Sequence, residues 1–318
     1  MADYPSIQEF KDNYEQKFND KVVPVLKALD EQRLEAKRKA KSISIKIYIG
    51  ACVVSIFILL YGFIKQSLNY SFIWVFLAAF IISKVIKIIK KEDFEKVLKK
   101  KIMPILLPAF GDFKWSTQPT ILKTVIKNSE LIEYFEDYDT DDNFRGSYKG
   151  IDIKIAESEL TYTTESKDGK THTHTAFKGI LISIDIPKNF SGHTIVLDKS
   201  NKRKDLLDCY HKIKLEDVEF EKMFNVYSTD QVESRYLLTT AFMQRFKNIR
   251  NIYGAKYISC SFLDKTLLIA IPVEKDMFSL GDLDVPVTDS KQYDVLLSEI
   301  IAIFEIIEEL KLYQNTGL

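Results

Sequence analysis

The chain of 318 residues carries 45 basic and 45 acidic side chains, but the balance is segregated: residues 1–107 hold 19 Lys and Arg against 11 Asp and Glu, and residues 108–318 hold 26 against 34. An acidic distal part lacks the clustered cations that phosphate contacts need, so no nucleic-acid partner is expected. With 46% hydrophobic residues the chain has enough apolar surface for a packed core, and its three isolated cysteines (Cys52, Cys209, Cys260) exclude a zinc framework and suit a reducing compartment.

The first 20 residues contain Asp3, Glu9, Asp12, Glu15 and Asp20 and no apolar core, so no cleavable signal peptide is expected. Residues 1–46 read as an N-terminal cytoplasmic helical stalk. Ile47–Ile64 and Gln66–Ser83 are two uncharged stretches of 18 residues separated by Lys65. Each approaches the length that about 30 Å of hydrocarbon demands of a helix. Residues 47–83 are therefore expected to form a two-helix transmembrane hairpin, with Tyr61, Tyr70 and Trp74 near its turn. Lys37, Arg38, Lys39, Lys41 and Lys46 precede the hairpin; Lys84, Lys87, Lys90, Lys91, Lys96 and Lys99–Lys101 follow it. The positive-inside rule then puts both termini in the cytoplasm. The basic run over residues 37–46 reads as an ordinary cytoplasmic topology flank rather than a dedicated lipid site.

Residues 84–107 read as a return stalk helix. Tyr14-Glu15-x-x-Phe18-x-x-Lys21-Val22-x-Pro24-Val25-Leu26 aligns without gaps on Phe94-Glu95-x-x-Leu98-x-x-Lys101-Ile102-x-Pro104-Ile105-Leu106. An antiparallel pair of related segments is expected, broken or bent near Pro24 and Pro104 because an interior proline removes a helical hydrogen bond. Shared amphipathic composition is the other explanation of the echo.

From residue 108 onward the pattern predicts a cytoplasmic α+β domain with a largely antiparallel sheet. Thr120–Ile132 has helical spacing. Asp137-x-Asp139-x-Asp141 begins like a calcium loop, but Asp142 stands where its glycine belongs and Tyr148 where its closing glutamate belongs, so an acidic linker is expected. Ile151–Ile155, Glu159–Thr164, Phe177–Ile186, His193–Leu197 and Phe220–Tyr227 read as strands, with a turn at Asp168-Gly169. Ser228-x-x-Gln231 has the capping-box form and opens a helix bearing Val232, Tyr236, Leu237, Phe242, Met243, Phe246 and Ile249, closed by Gly254. Tyr257–Phe262 and Thr266–Val273 form a hairpin around Asp264-Lys265, and a helix follows over about Lys291–Tyr313.

The run Phe220-Glu221-Lys222-Met223-Phe224-Asn225-Val226-Tyr227-Ser228-Thr229-Asp230-Gln231-Val232-Glu233-Ser234-Arg235-Tyr236-Leu237-Leu238-Thr239, with Phe242-Met243, Phe177-Lys178-Gly179 and Ser191–Leu197, resembles a bacterial family of uncharacterised two-pass membrane proteins catalogued as a domain of unknown function. The resemblance implies a bacterial inner-membrane location. It also implies a pathway shared with membrane proteins of LemA type, which are often encoded nearby. It implies no activity and no catalytic residues.

Candidate chemistry is sparse. His172-x-His174 would place two imidazoles on one side of a strand, as a metal site requires, but no Cys or carboxylate lies beside them in sequence, and exposed edge histidines account for the spacing more simply. Cys209-Tyr210-His211 sets a thiol near an imidazole, without the fold-level partners that a nucleophile needs. GxSxG, GxxxxGK[ST], HExxH and GxGxxG are absent from the sequence. Glu221, Asp230, Glu233 and Arg235 form the candidate functional surface, with capping and packing as the simpler explanation. No catalytic residue, cofactor or metal is expected. The leading expectation is a membrane-anchored binding or scaffold protein whose partners are the lipid bilayer, a LemA-type membrane protein or a second copy in a homo-oligomer. The alternative is an enzyme acting on lipid or envelope precursors at the inner leaflet.

Overall fold

The computed structural model describes residues 23–65, 70–107, 112–148, 150–186, 190–200, 209–253, 255, 257–289, 293, 294, 296, 298, 299 and 301. They fall into two compact units. One draws on the described residues of 23–106 and 279–296, the other on those of 107–278 together with residues 298, 299 and 301.

In the first unit, α1 (Val23–Ile64) and α2 (Ser71–Leu106) run antiparallel, and Ser83 Oγ donates to Ser44 Oγ at 2.8 Å between them. Both helices are long and apolar enough to cross a membrane. Their packing changes character along their length. Near the chain's re-entry, large residues face inward: Leu26 and Leu29 on α1, and Phe94, Leu98, Ile102 and Met103 on α2. In the apolar stretch the buried residues are small, namely Ala51, Ser55 and Gly62 on α1 and Ala79 on α2. The large side chains there point outward, including Phe57, Phe63, Trp74 and Phe80. Only 17% and 6% of the most apolar windows of the two helices are buried, so both helices expose most of their apolar surface.

Pro104 lies inside α2, which ends two residues later at Leu106, the termination expected there. Pro24 stands at the start of the described part of α1. The rest of the N-terminal echo, Tyr14–Val22, lies outside the described residues.

The second unit is built on a nine-stranded sheet in the order β1-β2-β3-β4-β9-β8-β5-β7-β6, with every described pairing antiparallel. Its strands are β1 (Lys114–Ser116), β2 (Asp137–Tyr148), β3 (Ile151–Glu165), β4 (Thr171–Asp185), β5 (Thr194–Asp198), β6 (His211–Ile213), β7 (Phe224–Ser228), β8 (Ser259–Leu263) and β9 (Thr266–Pro272). The helices are α3 (Lys123–Asn128), α4 (Val218–Met223), α5 (Gln231–Leu237) and α6 (Thr240–Tyr253). One sheet face packs Leu160, Leu181, Ile195, Leu197, Leu268 and Ala270 beneath α3 and Leu131–Phe135. On the other face Phe262 meets Phe242 of α6 at 5.5 Å, and Phe224 meets Phe246 at 5.3 Å. A sheet covered on both faces explains why Phe177–Ile186 reads as an apolar run rather than an alternation.

The α+β class matches the expectation, while several element boundaries differ. The Thr120–Ile132 pattern yields only the six-residue α3, because Ser129 bonds back to Ile126 and the chain turns through Glu130 at φ 56°. The acidic segment expected as a linker is β2. Asp137, Asp139 and Asp141 project to solvent, and buried Asp142 accepts Trp115 Nε1 at 2.5 Å. Phe220–Tyr227 divides into the end of α4 and the start of β7. The helix beyond it is capped by Asp230 rather than Ser228, and it breaks at Leu238 (φ −91°, ψ 59°) into α5 and α6. Gly254 and most of Lys291–Tyr313 lie outside the described residues; Tyr293, Asp294, Leu296, Ser298, Glu299 and Ile301 are helical.

Candidate functional site

The α4–β7–α5 stretch forms a strand between two short helices, and its acidic side chains bind main-chain groups. Asp217 caps α4 through Phe220 N at 2.9 Å, and Glu221 accepts Leu215 N at 2.8 Å. Asp230 caps α5, accepting Val232 N and Glu233 N at 2.9 Å each. Glu233 reaches the loop before β5, where its two oxygens accept Ser191 N at 2.9 Å and Gly192 N at 2.7 Å. Each such bond satisfies a backbone donor that a helix start or loop would otherwise leave to solvent. Arg235 is oriented differently: with Val232 and Tyr236, three and one positions away, it lies on the exposed face of α5.

His172 and His174 stand on the exposed outer part of β4. His174 Nε2 bonds Thr164 Oγ1 at 2.8 Å, and its ring stacks on Tyr162 at 5.1 Å. Among the described residues no group of three His, Cys, Asp or Glu is placed to hold a metal ion. Cys209 and His211 are both exposed.

Sequence spacing gave no hint of a second arrangement, because its members lie far apart in the chain. His193 Nε2 bonds Ser261 Oγ at 2.7 Å, and His193 Nδ1 bonds the Tyr210 hydroxyl at 2.6 Å. The order hydroxyl–imidazole–phenol resembles a proton relay, but Ser261 is 1% exposed and borders a hollow of only about 60 Å³. That volume takes a water or two and no acyl or phosphoryl substrate. The relay ties the β5 entry to β8.

A larger cavity of about 460 Å³ opens on the α3 side of the sheet. Its floor is Ala176, Ser259 and Ala270, and its walls include Leu131, Ile132, Tyr134, Tyr162, Phe177 and Tyr257. Two features of the backbone leave it open. The β3–β4 register shifts between Leu160 and Thr161, and β4 runs beyond the end of β9, whose last pairing is Pro272 with Gly179. Gly179 permits that crossing: at φ +150°, a Cβ there would stand 2.2 Å from Ile271 O. The cavity was not legible in the sequence, because its lining comes from five separated segments.

Residues 175–312 match the family described as "Protein of unknown function (DUF3137)". The DUF3137 match takes in the Gly179 crossing, the relay and the α4–β7–α5 stretch. Among solved structures, the chain is similar to the crystal structure of the mycobacterial trehalose monomycolate transport factor A, TtfA. The identity is 12%, over 63% of this chain and 88% of that one, with a TM-score of 0.36. A likeness of that size assigns neither fold nor role. No curated protein matches the chain.

Proposed function

We propose that the chain is a two-pass membrane-anchored binding protein, whose hairpin over residues 47–83 holds the acidic α+β domain at the cytoplasmic face of a bacterial inner membrane. The observation that carries this reading is the inverted packing of α1 and α2, with Ala51, Ser55, Gly62 and Ala79 inward and Phe57, Phe63, Trp74 and Phe80 outward. In water that arrangement exposes a large apolar surface; in lipid it costs nothing, and small residues let helix backbones approach. The lysine-rich flanks on both sides, against Lys65 alone at the turn, support cytoplasmic termini. The domain acts as a scaffold for a protein or lipid partner, a LemA-type membrane protein or a second copy among them. The exposed face of α5 bearing Val232, Arg235 and Tyr236 is its contact surface.

Cysteine labelling tests the anchor. With Cys52 replaced, Lys65→Cys reacts with an impermeant maleimide added to intact spheroplasts, whereas Cys209 reacts only after permeabilisation. The reverse pattern refutes the orientation, and release by alkaline carbonate refutes the anchor. Crosslinking in membranes tests the scaffold. A stoichiometric partner that is lost on Arg235→Glu supports it, and recovery of the chain without a stoichiometric protein or lipid overturns it.

A further inference from the structure

The cavity of about 460 Å³ lies within the range of small-molecule sites, roughly 300–1,000 Å³. Its chemistry is uneven in a way that selects a ligand. Tyr134, Tyr162, Tyr257 and Phe177 present aromatic surface, and Glu133 is the one charged residue among the described residues of the lining. Aromatic faces carry negative potential and attract cations, most strongly where water is excluded. Tyr134 sharpens that potential, because its hydroxyl donates to the Glu136 carboxylate at 2.8 Å and so pushes electron density toward the ring. An anion entering the cavity would meet a carboxylate and ring faces of the same sign.

The rings are also held in place before any ligand arrives. Tyr162 is stacked on His174 at 5.1 Å and meets Tyr134 edge-on at 6.0 Å. Holding two walls in advance lowers the ordering cost of binding. Small Ser259 and Ala270 at the floor leave depth for a compact group.

We propose that this cavity binds an organic cation, a quaternary or methylated ammonium group, seated against the rings of Tyr134 and Tyr162 with Glu133 at its side. The site belongs to the α+β domain alone, so it stands or falls independently of the membrane reading.

The test is calorimetric titration of the full chain, solubilised in a maltoside detergent, with choline chloride and with 3,3-dimethyl-1-butanol, the uncharged carbon isostere of choline. Saturable binding of one choline is expected, with the isostere about tenfold weaker or more. Tyr162→Leu is expected to weaken choline about tenfold, while Tyr162→Phe, which keeps the ring face, stays within about twofold of the parent. Glu133→Gln is expected to weaken choline and leave the isostere unchanged. Equal affinity for choline and the isostere overturns the proposal in favour of an apolar site. Absence of saturable choline binding, or binding indifferent to Tyr162→Leu, overturns it as well. Folding of each variant is checked by the coincidence of its circular dichroism spectrum with that of the parent. If Tyr162→Leu does not fold, the Glu133→Gln comparison decides alone.

Discussion

Arg33 Nη1 donates to the carbonyl oxygen of Leu283 at 2.7 Å, joining positions 250 residues apart inside the helical unit. The same guanidinium pairs with Asp30 at 2.7 Å, and Asp30 accepts Val287 N at 3.1 Å. From α2, Glu95 accepts Leu280 N at 2.7 Å while pairing with buried Lys99 at 2.8 Å. Asp284 bridges both helices, through Lys37 at 3.1 Å and Lys87 at 2.5 Å. The segment from Leu280 to Val287 is thus strapped across the helix pair by charged side chains that satisfy its backbone. Arg33→Ala should cost about 2–3 kcal/mol, the usual value of a hydrogen bond to a charged group plus the carbonyl left unpaired. Hydrogen exchange at Leu283–Val287 should rise, and unchanged protection there would refute the strap.

The strap should be stable to mild acid. Arg33 holds the Asp30 carboxyl below its ordinary value, and Lys87 followed by Lys37 does the same for Asp284. A depressed carboxylate contributes stability that is present above its unfolded pKa, near 3.8, and lost as pH falls through the lower folded value. Protection factors in Leu280–Val287, taken relative to the intrinsic exchange rate at each pH, should therefore stay flat from pH 7 to about 5 and fall only well below 4. Loosening near pH 6 would contradict the assignment.

Glu157 behaves in the opposite sense. Burial pushes its carboxyl from about 4.5 up to about 8, with Asp276, Asp142 and Asp141 adding to the rise and the Met277 N–H opposing it. That N–H donates to Glu157 Oε1 at 2.9 Å. Between pH 4.5 and 8 the folded chain keeps a proton that the unfolded chain releases, so stability falls as pH rises through that window and is level above it. Glu157→Gln keeps the acceptor for Met277 and removes the titration. Its melting temperature should exceed the parent's by more at pH 9 than at pH 5, and a constant difference would rule this out.

The close approach of α1 and α2 should be measurable by oxidation. With Cys52 replaced, Ser44→Cys with Ser83→Cys should crosslink readily in membranes, because the two hydroxyls lie 2.8 Å apart. Adding Ala79→Leu forces a large side chain into a small-residue contact and should slow crosslinking severalfold. Crosslinking as fast as before would show that the helices do not meet through Ala79.

Two glycines should respond very differently to alanine. At Gly179 the new Cβ meets the backbone of Ile271, Pro272 and Val273 at 2.2–2.7 Å with φ +150°, so the loss should reach at least about 3 kcal/mol. At Gly150, φ is +81° and the space is open, so only the conformational cost of about 1 kcal/mol applies. Chemical denaturation of both variants provides the comparison.

The hairpin was legible in the sequence because a run of apolar residues needs no partner to be recognised; its length and its want of charge suffice. The α+β class was legible for a related reason, since the β8–β9 turn and the turn at Gly169 are local. The acidic β2 was not. Asp137, Asp139 and Asp141 look like linker residues until Trp115 and the β3 ladder give their strand a place. The helix expected after Ser228 likewise ran unbroken in the pattern, because its apolar spacing continues through the break at Leu238, after which the Thr239 hydroxyl accepts Phe242 N at 3.2 Å.

By itself the sequence determined the two apolar helices, the segregation of charge and the turn positions, all properties of neighbouring residues. The tertiary structure alone decided which residues of the hairpin turn inward, that Leu280–Val287 straps the helices, and that five separated segments line an aromatic cavity. The physical reason is range. Periodicity and turn chemistry act over a few residues, whereas a cavity or a strap is made by contacts between positions up to 257 apart, which nothing local encodes.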